Sequence, residues 1–254
     1  MRPPPTKHLH DWNLSPREAI ELQKQLVDSI IPRGSPDVRL VAGVDCSFEK
    51  AQQSRIARAE TGSTAFTETD RGTMFAALVV WDRLTGELVE EAFSVMPAAF
   101  PYVPGLLTFR EGPAVLDAWS RLRTKPDAVI FDGHGIAHPR GIGIASHLGL
   151  WLDLPSIGCA KSRLCGTADD PAPEAGSVSE LHLDERLIGN LVRTRSNVKP
   201  VYVSIGHKID LAAAVQLVLS CCRGYRLPEP TRLAHLAGNQ VRKETPAGSS
   251  GYIV

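Results

Sequence analysis

The hydrophobic positions of this chain fall into short, interrupted runs with no single repeating period. Ser15-Pro16-Arg17-Glu18 reads as a capping box with proline at the first helical position, predicting a helix from about Pro16 to Ile31. Ala19, Ile20, Leu22, Leu26, Ile30 and Ile31 give that helix one apolar stripe, and it is expected to be scaffold. After Pro32-Arg33-Gly34, the run Val38 to Phe48 reads as a buried strand ending near Asp45. Glu49 to Gly72 is polar with little period and reads as a long loop or insertion. Met74 to Trp81 and Leu88 to Val95 flank Asp82-Arg83-Leu84-Thr85-Gly86, a hairpin signature with glycine in the turn.

Pro101-Tyr102-Val103-Pro104-Gly105 interrupts the pattern, and an amphipathic helix is expected over Phe109 to Leu122. Ala128 to Phe131, Ser156 to Ala160 and Pro200 to Ile205 are strand candidates, and Leu211 to Cys222 is a helix. Gly133 to Gly149 carries five glycines, too many for an ordinary helix core. Beyond Leu236 the chain turns polar and rich in Gly and Ser, which predicts a mobile tail over 237–254 after one domain over 1–236. Three strands, a helix, then alternating strands and helices suit an α/β fold: one mixed central β-sheet flanked by helices.

Composition narrows the class. With 254 residues and 43% hydrophobic content, the chain can build a proper core, and wholesale disorder is excluded. No apolar run approaches the ~18 residues that span a bilayer, and the N-terminus has no apolar signal-peptide region, so the expected compartment is the cytoplasm, with no membrane partner. Cys46, Cys159, Cys165, Cys221 and Cys222 form no C-x-x-C pair and read as reduced thiols. Lys+Arg and Asp+Glu balance at 28 each, which at first sight argues against a nucleic-acid ligand.

Asp45 and Asp132 each close an apolar strand, where α/β sheets build ligand sites, so the two acids can converge on one divalent cation such as Mg2+. Each is also an ordinary turn or cap aspartate on its own. Glu111 opens a helix, where it serves either the site or the helix dipole. Tyr102, held between prolines, is either a surface tyrosine or a rigid platform or wedge for nucleic acid. His134-x-x-x-His138 lacks the glutamate of a zinc-hydrolase motif, and Gly141-Ile142-Gly143-Ile144-Ala145-Ser146 fails the dinucleotide fingerprint at its last position. Lys161 and Arg163, after a strand, are solvated cations or phosphate contacts.

Taken together, VAGVDCSF, PYVPGLLTFRE, DAVIFDGHGIAHPRGIGIASHLGL, GCAKSRLCG, YVSIGHKIDL and YRLPEPTRLAH resemble the endonuclease V family, the deoxyinosine 3′ endonucleases. The match runs from about Val41 to His235, in the family's order. The resemblance implies a ribonuclease H-like fold and a Mg2+-dependent endonuclease, with Mn2+ able to substitute, that nicks at the second phosphodiester bond 3′ to inosine. It leaves 3′-hydroxyl and 5′-phosphate ends in DNA repair. Asp45, Glu111 and Asp132 match the family's metal-binding acids, Lys161 a phosphate-contacting catalytic lysine, and His235 a fourth active-site position, either ligand or proton handler. Tyr102 matches a wedge; Gly105, Leu107, Gly135, Ile144, Gly158 and Leu164 a base pocket; Arg110 and His138 positions near the strand. Glu49 to Gly72 is longer than the family's usual link.

The partner so implied is inosine-containing DNA, with single-stranded RNA as the alternative, bound by a monomer. Two other readings compete: a ribonuclease H-like nuclease acting mainly on inosine-containing RNA or without lesion preference, and a non-catalytic binder of such nucleic acid. On the nuclease reading the balanced charge hides a basic surface of Arg110, Arg140, Lys161, Arg163 and Arg232, offset by acids withdrawn to the metal site.

Overall fold

Eight strands form one mixed sheet in the order β3-β2-β1-β4-β5-β8-β7-β6. The computed structural model describes residues 4–49 and 72–245. The strands are β1 (Leu40–Glu49), β2 (Thr73–Asp82), β3 (Leu88–Pro97), β4 (Ala128–Phe131), β5 (Ser156–Ala160), β6 (Val178–Leu183), β7 (Arg186–Val192) and β8 (Val201–His207). Among the described residues five α-helices accompany them: α1 (Pro16–Leu26), α2 (Leu107–Trp119), α3 (Ile144–Leu152), α4 (Leu211–Ser220) and α5 (Glu229–Glu244). β1, β2 and β3 form an antiparallel meander, while β4 lies parallel to β1 and β5 parallel to β4. β8 returns antiparallel to β5. The expected mixed α/β sheet is therefore present, hairpin included: Gly86, at φ +77°, closes the β2–β3 turn by donating its N–H to Asp82 O at 2.8 Å.

The sheet buries both faces, which is why its central strands read as apolar runs without alternation. One face packs Trp119, Leu148 and Trp151 of α2 and α3 onto Val44, Leu78, Val129 and Phe131. On the other face Val41, Ile130, Ile157 and Val203 meet Val215 and Val218 of α4, and Leu233 of α5 joins them. Burying each large aliphatic side chain stabilises the fold by about 1.5–3 kcal/mol, so this two-sided core dominates the energetics. Among the described residues no helix is long and apolar enough to cross a membrane.

Several boundaries differ from expectation. The capping box of α1 forms as read, Glu18 N–H donating to Ser15 Oγ and Ser15 N–H to Glu18 Oε2, but the helix ends at Leu26 and passes into a 3-10 turn over Val27–Ser29. α3 begins inside the glycine-rich stretch and runs on to Leu152, and the β6–β7 hairpin extends the sheet where no element was expected. The mobile tail expected from residue 237 is helical as far as Glu244, because α5 packs on β1 and β2 and buries Gly238 and Val241. Of the long loop expected over Glu49 to Gly72, residues 50–71 lie outside the described residues, as do 246–254.

If this helix is integral, Val241→Ala costs about 2 kcal/mol and lowers the thermal midpoint by about 4–8 °C, while Gln240→Ala on the exposed face has little effect. Differential scanning calorimetry of both variants checks this. Equal midpoints would restore the mobile-tail reading.

Candidate active site

The parallel register of β1 and β4 fixes the site. Val44 pairs with Phe131, and Asp132 N–H donates to Val44 O at 3.0 Å, so Asp45 and Asp132, one residue further along each strand, stand side by side. Their carboxylates are nearly covered, at 10% and 14% exposure. Burial and the hydrogen bond and charge shared with Asp132 push the Asp45 carboxyl up to about 6, with Lys161 and His235 pulling the other way. The Lys161 ammonium, just past β5, pairs with Asp132 Oδ2. From α5, His235 Nδ1 lies 3.0 Å from Asp45 Oδ2, and Asn239 Nδ2 lies 3.1 Å from His235 Nε2. An amide donating to Nε2 leaves the Nδ1–H to donate to Asp45.

Glu111, on the second turn of α2, approaches from the opposite face of the sheet. Side chains alternate along β1, so Cys46 turns away from Asp45 and hydrogen-bonds Glu111. Burial, then repulsion by Asp45 and Asp132, pushes the Glu111 carboxyl up to about 8, against the pull of Cys46 and Arg110. The buried Cys46 thiol is pushed up as well, chiefly by desolvation.

Among the described residues no three acid, histidine or cysteine side chains already converge at metal-ligand spacing; Lys161 and His235 occupy the aspartates. The chemistry of the donor set nevertheless fits a divalent cation. Three carboxylates crowd the ends of two strands, two of them disfavoured as anions by burial and by neighbouring aspartates, and hard oxygen donors are what a divalent cation takes.

A cavity of about 290 Å³ opens next to these acids, at the small end for a ligand pocket. One wall is the loop from β3 to α2, contributing Tyr102, Pro104, Gly105 and Leu107; the other holds His134, His138, Ile144 and Leu164. Tyr102 is 70% exposed and projects from the rim. Burial and the neighbouring Arg140 push the His138 imidazole down to about 4, so it is neutral; its Nε2 lies 3.0 Å from Gly105 O.

Of the residues expected in the pocket, Gly105, Leu107, Ile144 and Leu164 line it, whereas Gly135 and Gly158 stand behind it. A Cβ on Gly158 would come within 2.4 Å of Gly135 N, and one on Gly135 within 1.9 Å of Ile205 O, so these glycines allow β5, β8 and the loop after β4 to close up. Arg110 does not face outward as expected. It is 8% exposed, lies 3.9 Å from the centre of the Phe48 ring and donates to Phe100 O at 3.2 Å. Arg140 and Arg232 are likewise committed, to Gly105 O and Gln23, and to Glu229. Of the five cations expected on a basic surface, Arg163 alone makes no ion pair or hydrogen bond among the described residues. Sequence reasoning missed Gln23 and Asn239, and it read Cys46 and His134 without placing them at the site; Asn239 was legible as the i+4 partner of His235 once a helix is drawn there.

A nuclease of ribonuclease H-like fold is the class that this sheet and its acid cluster define, and such nucleases generally use a divalent metal ion. The family model for endonuclease V matches residues 21–236. The chain belongs to the endonuclease V family and is an endonuclease. Endonuclease V of Gloeobacter violaceus is 50% identical over 237 residues, covering 92% of this chain and 89% of that one. The crystal structure of endonuclease V from Streptomyces avermitilis superposes with a TM-score of 0.80 at 37% identity, covering 92% of this chain and 95% of that one. Ciona intestinalis endonuclease V, solved with a 24-mer DNA containing an inosine followed by a ribo-adenosine, shares the fold at TM-score 0.69 and 24% identity, covering 90% and 98%.

Because Asp45 and Glu111 hold their protons more tightly in the folded chain than free carboxylates do, their contribution to stability is full in acid and is lost as pH rises through about 6 and then about 8. The cation-free protein therefore melts lower at pH 8.5 than at pH 6.5, and less so in Glu111→Gln. A divalent cation raises the midpoint more at the higher pH, since it binds the unprotonated acids. Identical pH profiles for wild type and Glu111→Gln in thermal melts would contradict this assignment.

Proposed function

We propose that this protein is a Mg2+-dependent endonuclease that nicks nucleic acid at the second phosphodiester bond 3′ to inosine, in repair of deaminated adenine. The observation that carries the reading is the adjacency of two features: a small cavity under an exposed tyrosine, and a carboxylate cluster at the same strand ends. The first suits a base turned out of its stack and the second suits hydrolysis of a nearby phosphodiester. Eversion costs least where pairing is already weak, as it is for inosine. The DNA bound by the Ciona relative contains this base, which supports the substrate class.

Asp45, Asp132 and Glu111 would hold the ion, and oxygen donors of this kind favour Mg2+ with Mn2+ as a substitute. When bound, the divalent ion supplies an activated water and stabilises charge on the leaving oxygen. The other roles belong to the chain. The His235 Nδ1–H holds Asp45 in one orientation, as outer partners orient ligands elsewhere. Lys161 balances the charge of Asp132 and, with a cation bound to that acid, would be placed to meet the phosphate. Tyr102 fills the gap left by the everted base, while Gly105, Leu107, Ile144 and Leu164 enclose it. We place this activity in a cytoplasmic monomer acting on DNA.

Incubation of a single-inosine duplex with Mg2+ tests the reading. Asp45→Ala and Asp132→Ala lower incision by more than about 100-fold, and matched undamaged duplex is spared. Equal cleavage by wild type and both variants would sink it. Tyr102→Ala lowers the preference for inosine about tenfold, the size of one lost base stack, while leaving the cation-induced shift in melting unchanged.

A further inference from the structure

The loop that carries Tyr102 is held at both ends by backbone carbonyls. At its start Arg110 donates to Phe100 O. At its end Gly105, at φ +79°, offers one carbonyl to three donors: Gln23 Nε2 at 3.1 Å, His138 Nε2 at 3.0 Å and Arg140 Nη2 at 2.7 Å. A carbonyl oxygen has two lone pairs, so three N–H groups on one oxygen leave it little freedom to move. A Cβ on Gly105 would meet Arg140 Nη2 at 2.6 Å, so the clamp also requires glycine there.

Gln23 does more than its two companions. It lies on the inward face of α1 and is 1% exposed. Its amide nitrogen donates not only to Gly105 O but also to Ile142 O at 3.2 Å, and its oxygen accepts from Arg140 Nε at 2.6 Å. Gly105 belongs to one wall of the cavity, and Ile142 directly precedes Gly143 and Ile144 on the other. One side-chain amide therefore ties the two walls together and sets the width between them. Every polar group of Gln23 is used, in a place where water cannot substitute.

We propose that Gln23 is a positioning residue for lesion recognition: through Gly105 O and Ile142 O it fixes the cavity width and the stance of Tyr102, with Arg140 as its partner. The proposal rests on reading the cavity as the pocket for the everted base. It makes α1 part of the specificity apparatus rather than the scaffold its amphipathic stripe suggests.

The test is steady-state incision of single-inosine and matched undamaged duplexes by wild type, Gln23→Met, Arg140→Met and the double variant, with a thermal melt for each. Gln23→Met removes the donors with little change of volume. Its KM for the inosine strand rises about tenfold and its preference for inosine falls to match, with kcat changed much less. Because both side chains act through one carbonyl, the double variant is no more than about twofold worse than the poorer single one. A merely structural Gln23 would lower the active fraction, and so kcat on every substrate, leaving KM and the preference intact; that result overturns the proposal. Effects that multiply in the double variant overturn the shared clamp. Where Gln23→Met does not fold, Arg140→Met reaches the same carbonyl and must show the same KM effect. A wild type without inosine preference would defeat the base-pocket reading itself, whereas preference retained in Gln23→Met defeats this inference alone.

Discussion

The parallel pairing of β1 with β4 brings the Asp45 and Asp132 carboxylates together, and burial there pushes the Asp45 carboxyl up to about 6. Cover by the surrounding helices strengthens the repulsion between such charges relative to water. The fold tolerates it because other elements converge on the same point: Lys161 from the end of β5 and His235 from α5. Breaking that convergence leaves buried charge unmatched, a costlier defect than losing an ordinary surface pair. The site is thus a point where burial and neighbouring carboxylates disfavour negative charge.

The sheet was legible where burial is two-sided and the strands are continuous apolar runs, as in VAGVDCSF and AVIF, and where a turn residue marks a hairpin, as Gly86 does. It was illegible where glycine serves packing. Gly149 sits in α3 because a Cβ there would land 2.0 Å from Ser156 Oγ, so a residue that looks like a helix breaker is what lets α3 lie on β5. The β6–β7 turn gave no signal because Asp184 adopts φ +53° where glycine or asparagine is the usual marker. The acids Asp45 and Asp132 were readable from strand ends, but Glu111 joins them across the sheet, and Cys46 and Asn239 enter through alternation and helical spacing that a linear reading did not carry so far.

The balanced charge also reads differently once side chains are placed. Two arginines expected to face phosphate instead pin backbone carbonyls, Arg110 that of Phe100 and Arg140 that of Gly105, and two others do the same: Arg226 holds those of Lys161, Lys199 and Pro200, and Arg193 those of Ala172, Val198 and Pro171. The guanidinium's fork of donors suits this task, satisfying loop carbonyls that no strand or helix can reach. The loops around the cluster are irregular, and cationic side chains hold them still.

That stillness bears on the time course of an encounter. A loop ordered in advance meets its entropy cost in folding, not at contact with nucleic acid, so little of the binding free energy is diverted into arranging it. On the proposed function, the pace of inspection then belongs to the nucleic acid: a base that unstacks readily is sampled at its own opening frequency, and one that stays paired is passed over.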